Sequence, residues 1–300
     1  MKQKRFSRGL ESNPNAFAYL INAPSLIIIF VTIIYPVLYS LSVSLEDWNL
    51  RKPQGRHFIG LGNYLDLLSS PDFLQVLGRT ASYVLISLAC ILTIGLLFAL
   101  VLSRKTRGIG ILRSVMLIPW AIPAVVNGIM WKWFLDSSYG IVNAILKAAG
   151  IIDTYVAFLA HPTSAFICII VASVWKQLTV TTILILASLQ TIPNELYEAA
   201  TVDGASSWKK FRGITLPMIG PSIMVVLIYL TTVLFREFDL IYVLTYGGPG
   251  NATALVGWTI YEQAFALMHV GKGAAVGYIL ALITFVIAVI YIRLLNKKIY

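Results

Sequence analysis

Six long apolar runs, each with few or no charged residues, divide this 300-residue chain. A bilayer core about 30 Å thick needs a helix of about 20 apolar residues, because a backbone in lipid must satisfy its own hydrogen bonds. The chain is therefore predicted to be an all-α membrane protein with six transmembrane helices. The runs lie at about 17–43, 80–103, 114–135, 162–190, 218–245 and 273–292.

The composition favours a membrane protein over a soluble one. Residues of the AVILMFWYC set make up 58% of the chain and charged residues only 12%, whereas about a quarter of an average soluble domain is charged. Too little polar surface is left to cover a soluble globule. The net charge of +10 then indicates basic loops at an anionic membrane surface, and no nucleic acid is expected as a partner.

The distribution of basic residues predicts the orientation. The two tails and the loops at 104–113 and 191–217 together hold 14 of the 23 Lys and Arg residues, and the opposite side holds six. The positive-inside rule therefore places both termini in the cytoplasm. The expected division is a cytoplasmic tail at 1–16, a first transmembrane helix at 17–45, an extracytoplasmic segment at 46–76 with a short helix near 64–68, and a transmembrane domain at 77–297.

The cytoplasmic loop at 191–217 has the pattern of two short helices separated by a glycine. Pro193 suits a first helical turn, Gly204 suits a left-handed helix end, and Ser206 or Ser207 suits a second N-cap. Such a helix pair with exposed apolar residues predicts either a docking surface for another protein or a hairpin lying on the lipid headgroups.

This loop matches the EAA---G---------I-LP motif at every fixed position. The chain therefore resembles the permeases of binding-protein-dependent ABC importers, and the segments at 117–123, 238–249 and 261–265 resemble the carbohydrate branch of maltose and glycerol-phosphate permeases. The resemblance covers about residues 17–297. The matching residues of the motif are Glu198, Ala199, Ala200, Gly204, Ile214, Leu216 and Pro217.

The resemblance implies a type I ABC importer permease (MetI-like) fold in a bacterial inner membrane. It implies a second homologous permease as heterodimer partner. It also implies two copies of a cytoplasmic ABC ATPase, which receive a helix of the 191–217 loop. An extracytoplasmic solute-binding protein is expected to contact 47–64 and 247–251. No cofactor is expected in this chain, because ATP and Mg²⁺ would be bound by the ATPase. The chain has no Gly-x-x-x-x-Gly-Lys-[Ser/Thr] sequence for holding nucleotide phosphates.

The resemblance also implies a sugar substrate and a set of positions along its path. Where the maltose-type pattern has neutral residues, this chain has Lys176, Arg236 and Glu237. We therefore expect a cargo with an anionic group, such as a sulfonate, phosphate or carboxylate; the alternative is an internal Arg236–Glu237 or Lys176–Glu237 ion pair. The implied substrate-pathway residues are Trp120, Ala124, Trp175, Lys176, Gln177, Leu234, Arg236 and Glu237.

The residues favour neither of two other function classes. An ion-coupled secondary transporter would have inverted repeats and broken helices in both halves. An intramembrane enzyme would need a nucleophile–base pair or a metal cluster, whereas His57, His161 and His269 are isolated in the sequence. Neither a catalytic residue nor a metal site is predicted.

Overall fold

The structure, a computed structural model, describes residues 14–52, 55–104 and 107–296. Most of the 1–16 tail, Lys105 and residue 297 lie outside these ranges. The helices are α1 (Pro14–Ile29), α2 (Tyr35–Ser44), α3 (Gly62–Ser69), α4 (Pro71–Leu102), α5 (Ile109–Met116), α6 (Ile118–Ala121), α7 (Ala124–Phe134), α8 (Ile141–Ala148), α9 (Pro162–Gln190), α10 (Asn194–Val202), α11 (Ser207–Lys210), α12 (Leu216–Phe235), α13 (Asp239–Leu244), α14 (Val256–Tyr261) and α15 (Val270–Asn296). A 3₁₀ turn (Phe158–Ala160), three π-helical turns (Phe30–Ile34, Phe211–Thr215, Glu262–Ala266) and a two-stranded hairpin, β1 (Glu46–Asp47) with β2 (His57–Phe58), complete the described chain.

Five continuous segments are long and apolar enough to cross a membrane, and a bent pair of helices supplies the sixth. This agrees with the predicted all-α fold of six transmembrane helices. The continuous segments are Ala18–Ser44, Pro71–Leu102, Pro162–Gln190, Ser207–Phe235 and Val270–Arg293.

The third predicted span is not one straight helix. Ile109–Ala121 and Ala124–Phe134 meet at an angle of 101°. Ile122 has extended backbone angles (φ −77°, ψ 126°) and precedes Pro123, and a residue before proline is sterically pushed out of the α region. The single helix expected over 114–135 is therefore wrong, and two helices form this span instead.

The fifth span also differs from its prediction at both ends. It ends at Phe235 rather than near residue 245, and a turn with Arg236, Glu237 and Phe238 separates it from α13. At the other end it starts at Ser207 and passes through Pro217. The π-helical turn allows this continuity, because Leu216 donates to the carbonyl of Phe211 just before proline removes a backbone donor.

The centre of the fold is built from α4, α9 and α12, which pack against one another. The Tyr83 hydroxyl on α4 donates to Ser173 Oγ on α9 at 2.7 Å, and both side chains are buried. A Cβ at Gly95 would lie 2.7 Å from Thr181 Cγ2, so the absence of a side chain there lets the two helices approach closely. This packing holds the middle of α9 in a defined position.

The first span lies at the edge of the fold. Only 6% of its apolar window is buried, and α2 contacts α15, where Tyr278 lies near Ser40 (hydroxyl oxygens 3.1 Å apart). The β1–β2 hairpin follows this span in the chain and carries the Arg56–Glu46 ion pair, in which Arg56 Nε and Glu46 Oε2 are 2.5 Å apart. The short helix expected near 64–68 is present as α3.

Candidate functional site

A cavity of about 300 Å³ lies where α7, α9, α12 and α13 meet. The turn that ends the fifth span lines it with Arg236, Glu237 and Phe238, and the bend in the third span is followed by the lining residues Ala124 and Asn127. Non-helical backbone at membrane depth is tolerated where it lines such a cavity. The lining residues are Ala124, Asn127, Ser173, Lys176, Gln177, Thr232, Val233, Arg236, Glu237, Phe238, Asp239 and Leu240.

Five of the eight expected substrate-pathway residues meet at this cavity: Ala124, Lys176, Gln177, Arg236 and Glu237. Gln177 is nearly buried, and its Oε1 accepts from the Tyr229 hydroxyl at 3.5 Å. Glu237 Oε1 accepts from the backbone N–H of Leu240 at 3.2 Å. That bond fixes the Glu237 side chain beside the first turn of α13.

The other three expected residues do not line the cavity. Trp120 precedes the bend and is 58% exposed, and Leu234 is fully buried in the core. Trp175 packs edge-on against Trp131, with ring centroids 6.1 Å apart. The bend at Pro123 separates Trp120 from the cavity, and the helical rotation of α9 turns Trp175 away from Lys176 and Gln177.

Several polar residues of the cavity were not predicted from the sequence. Asn127 is 2% exposed, and its Oδ1 has no hydrogen-bond partner among the described residues. Ser173, Thr232 and Asp239 complete the polar lining. Helical spacing could have found two of them, because Asn127 follows Ala124 by three residues and Ser173 precedes Lys176 by three.

The charged groups of the cavity form no ion pair within the described part of the chain. The two ion pairs there, with nitrogen–oxygen distances within 4.0 Å, are Arg56–Glu46 and Lys272–Asp66. The internal pairing of Glu237 with Arg236 or Lys176, considered from the sequence, is therefore not observed. Lys176, Arg236, Glu237 and Asp239 line the cavity as separate charges, two positive and two negative.

The cavity depends on a close contact between α7 and α13. A Cβ at Gly128 would lie 2.8 Å from Val243 Cβ. Gly128→Leu is expected to lower the melting temperature of the purified protein in detergent, because overpacking at such a contact costs about 1–3 kcal/mol. Gly78→Leu is the control, since nothing lies within 4 Å of a Cβ there. Equal melting temperatures for the two variants would contradict this close contact.

The 191–217 loop forms the second candidate site, at the far end of α9 and α12. Gly204 has φ +73°, the left-handed helix end expected from the sequence. Ser206 Oγ accepts from the backbone N–H of Lys209 at 3.4 Å, so Ser206 is the second N-cap. Pro193 is itself the N-cap of α10, one position earlier than expected. The Tyr197 and Thr215 hydroxyl oxygens, 2.9 Å apart, tie α10 to the start of the fifth span.

The loop presents an apolar surface that the described chain does not cover. Val202 is 89% exposed, Trp208 66% and Leu196 42%. Of the seven motif positions, Glu198, Ala199, Gly204, Leu216 and Pro217 are exposed, and Ala200 and Ile214 are half-buried. The end of α9 at Gln190, where this loop begins, lies thirteen residue steps beyond Gln177, about 20 Å from the cavity at about 1.5 Å per step.

Comparison with known proteins identifies the family. The profile of the family described as "Binding-protein-dependent transport system inner membrane component" matches residues 91–299. The chain is 38% identical to the trehalose/maltose transport system permease protein MalF of Thermococcus litoralis, over 92% of each chain. It is 33% identical to the sulfoquinovosyl glycerol transport system permease protein SmoG of Agrobacterium fabrum, over 98% of this chain and 95% of that one.

A solved structure supports the fold. A chain of a bacterial ABC transporter involved in the import of the acidic polysaccharide alginate superposes with a TM-score of 0.81 and 23% identity, over 99% of this chain and 100% of that one. The expected MetI-like permease fold is confirmed. The intramembrane enzyme is excluded, because the relatives are non-catalytic permease components. The chain belongs to the family of binding-protein-dependent transport system inner membrane components and is a multi-pass permease subunit of an ABC importer.

Proposed function

We propose that this chain is the translocation-pathway subunit of an ATP-driven importer for a sugar derivative that carries an anionic group. The observation that carries this proposal is the cavity wall on which Lys176 and Arg236 form no ion pair with any residue that the structure describes. A charge at membrane depth is costly unless it meets water or a counter-charge. An anionic cargo would supply that counter-charge through charge-assisted hydrogen bonds.

The polar lining also suits the rest of a sugar. Asn127 lines the cavity, and its Oδ1 has no partner within 14–52, 55–104 and 107–296; Ser173, Thr232 and Gln177 bring further hydrogen-bonding groups. Sugar hydroxyls donate and accept, so they can satisfy amide and hydroxyl groups at once. Relatives named for trehalose/maltose and for the anionic sulfoquinovosyl glycerol are consistent with this substrate class.

Energy for transport would come from partner subunits. Two copies of a cytoplasmic ABC ATPase would bind ATP and Mg²⁺ and receive α10 with its apolar surface of Leu196, Val202 and Trp208. Closure of the two ATPases would move the docked loops together. Because α9 and α12 connect this loop to the cavity, the movement would switch the side to which the cavity opens.

The proposed complex has further members. A second homologous permease would complete the pathway as a heterodimer. The chain would lie in the inner membrane, with both of its termini in the cytoplasm. The β1–β2 hairpin and the 247–251 turn, at the opposite end from the coupling loop, would contact an extracytoplasmic solute-binding protein.

The test is uptake by the complete complex, reconstituted into proteoliposomes with its ATPase and solute-binding protein. The probes are trehalose, maltose and sulfoquinovosyl glycerol in radiolabelled form. We expect ATP-dependent uptake that is fastest for the sulfonated sugar, because only that probe brings an anionic group to Lys176 and Arg236. A matched preparation without the ATPase is the control. Uptake in that control, uptake of none of the sugars, or faster uptake of trehalose or maltose than of the sulfonated sugar would contradict the proposed function.

A further inference from the structure

Six aromatic residues form a continuous cluster that starts at the cavity and runs away from the coupling loop. Only Phe238, which lines the cavity, has a place in the function proposed above. We call the cluster the aromatic track. Its members are Phe238, Tyr242, Tyr246, Trp258, Tyr261 and Phe265.

The first row of the track follows α13. Phe238 is the N-cap of α13, Tyr242 lies within the helix, and Tyr246 follows its last residue by two positions. The ring centroids of Phe238 and Tyr242 are 5.4 Å apart, and those of Tyr242 and Tyr246 are 5.6 Å apart. The row therefore leads from the cavity wall to the turn that follows α13.

The second row lies beside the first. Tyr261 ends α14, and Phe265 follows it by one helical turn with ring centroids 5.7 Å apart and nearly parallel planes. Tyr261 lies 5.2 Å from the ring of Phe238 and 5.2 Å from the ring of Tyr242. These distances are typical of direct ring contacts, so the two rows make one surface.

Trp258 is the buried member of the track and packs against the ring of Tyr246. It is 2% exposed, and its ring centroid lies 4.5 Å from that of Tyr246. The backbone approaches it closely at Gly247, where φ is +80° and a Cβ would lie 2.7 Å from Trp258 Nε1. Tyr246 has φ 54°, which is uncommon for a residue other than glycine. The turn is thus built to hold the Tyr246 ring over Trp258.

The exposure of the rings does not fit a cluster that serves packing alone. Tyr242 is 40% exposed, Tyr246 58% and Phe265 64%, whereas Phe238 at the cavity is half-buried. Exposed aromatic rings that continue from a polar cavity suit the apolar C–H faces of a pyranose ring. The tyrosine hydroxyls can bond sugar hydroxyls at the edges.

We propose that the aromatic track is a second carbohydrate-binding subsite, on which a pyranose ring of the cargo stacks before it reaches the cavity. This inference rests on the proposed function, because it needs a sugar as cargo. It assigns Tyr242 and Phe265 as the exposed stacking residues and Phe238 as the connection to the cavity. The order of binding is track first and cavity second.

The experiment compares uptake by the reconstituted complex carrying Tyr242→Leu and Phe265→Leu together with uptake by the wild type. The probe is whichever of trehalose, maltose and sulfoquinovosyl glycerol the wild type takes up. Loss of ring stacking is expected to raise KM about 3- to 10-fold and to leave the saturating rate unchanged. A second double variant, Tyr242→Phe with Phe265→Tyr, keeps both rings and is expected to retain the wild-type KM. Tyr139→Leu is the control, since Tyr139 is 68% exposed and lies outside the track.

The outcomes separate this inference from the function it rests on. If the wild type takes up none of the sugars, the proposed function fails and the subsite with it. If the wild type transports but the leucine variant keeps its KM, only the subsite is overturned. Loss of the second permease from the purified leucine variant would also overturn it, because the track would then be a subunit interface.

Discussion

Glu198→Ala is expected to lower ATP-driven uptake by about 30-fold or more. Glu198 is exposed on α10 and makes no ion pair or side-chain hydrogen bond with the described part of the chain. It lies on the same short helix as the exposed Leu196 and Val202. Docking of the ATPase onto this helix would bury the carboxylate, and removing one partner of a buried charge pair costs about 2 kcal/mol or more. Uptake in proteoliposomes and the amount of ATPase that copurifies measure the effect.

Glu195→Ala is the matched control for this variant. Glu195 is exposed on the same helix, one turn earlier, and lies outside the motif. We expect it to retain uptake, because the general loss of a negative charge near the helix N-terminus is worth only about 0.3–1 kcal/mol. Equal uptake by the two variants, or wild-type uptake by Glu198→Ala, would contradict the assignment of α10 as the coupling helix.

Gly204→Ala tests the shape of the same loop without changing its charge. Gly204 has φ +73° with nothing within 4 Å of a Cβ, so the only cost of alanine is the left-handed conformation, about 1–2 kcal/mol. We expect copurification of the ATPase to weaken about 5- to 30-fold. Gly213→Ala is the control, because Gly213 has the same free space but lies in the π-helical turn without a positive φ.

The second large effect is expected from Lys176→Met combined with Arg236→Met. Both residues line the cavity, and neither forms an ion pair in the part of the chain that the structure describes. A hydrogen bond to a charged group contributes about 1.5–3 kcal/mol. The double variant should therefore take up sulfoquinovosyl glycerol about 10- to 100-fold more slowly at low concentration, while uptake of a neutral sugar such as trehalose is not reduced. The ratio of the two uptake rates is the quantity to measure.

Lys132→Met is the control for this experiment. Lys132 is exposed near the end of α7, between two tryptophans, and does not line the cavity. Its position is typical of a lysine that extends to the membrane surface. The anion proposal is wrong if the cavity variant and the control leave the same sulfonated-to-neutral ratio, or if the cavity variant slows both sugars equally.

The sequence predicted the apolar spans well wherever the chain forms an ordinary helix. The fourth run, 162–190, coincides with α9, and Gly204 ends α10 in the left-handed conformation as expected. Both features are local: one needs only run length, and the other needs only a residue without a Cβ. The EAA motif is local in the same sense, since its fixed positions lie within twenty residues.

The sequence did not predict the breaks in the third and fifth spans. The sequence shows Pro123, but a proline within an apolar run is also compatible with a kinked helix that continues across the membrane. The turn at Arg236–Phe238 has no proline or glycine, and its charges alone did not predict a helix end. Both breaks depend on packing against other helices, which the order of residues does not reveal.

Run length and turn chemistry were thus enough to identify a membrane-spanning helical chain and the two short helices of its 191–217 loop, whereas five of the residues that meet at its cavity were expected from the family resemblance. Only the folded molecule separated Trp120, Trp175 and Leu234 from those five, added Asn127, and brought the aromatic rings of 238–246 into contact with those of 258–265. The physical reason is that helix length and turn chemistry act over a few neighbouring residues. Which face of a helix meets a cavity depends instead on the bend of one span and the rotation of the next, and these follow from contacts such as Gly128 with Val243 and Gly95 with Thr181.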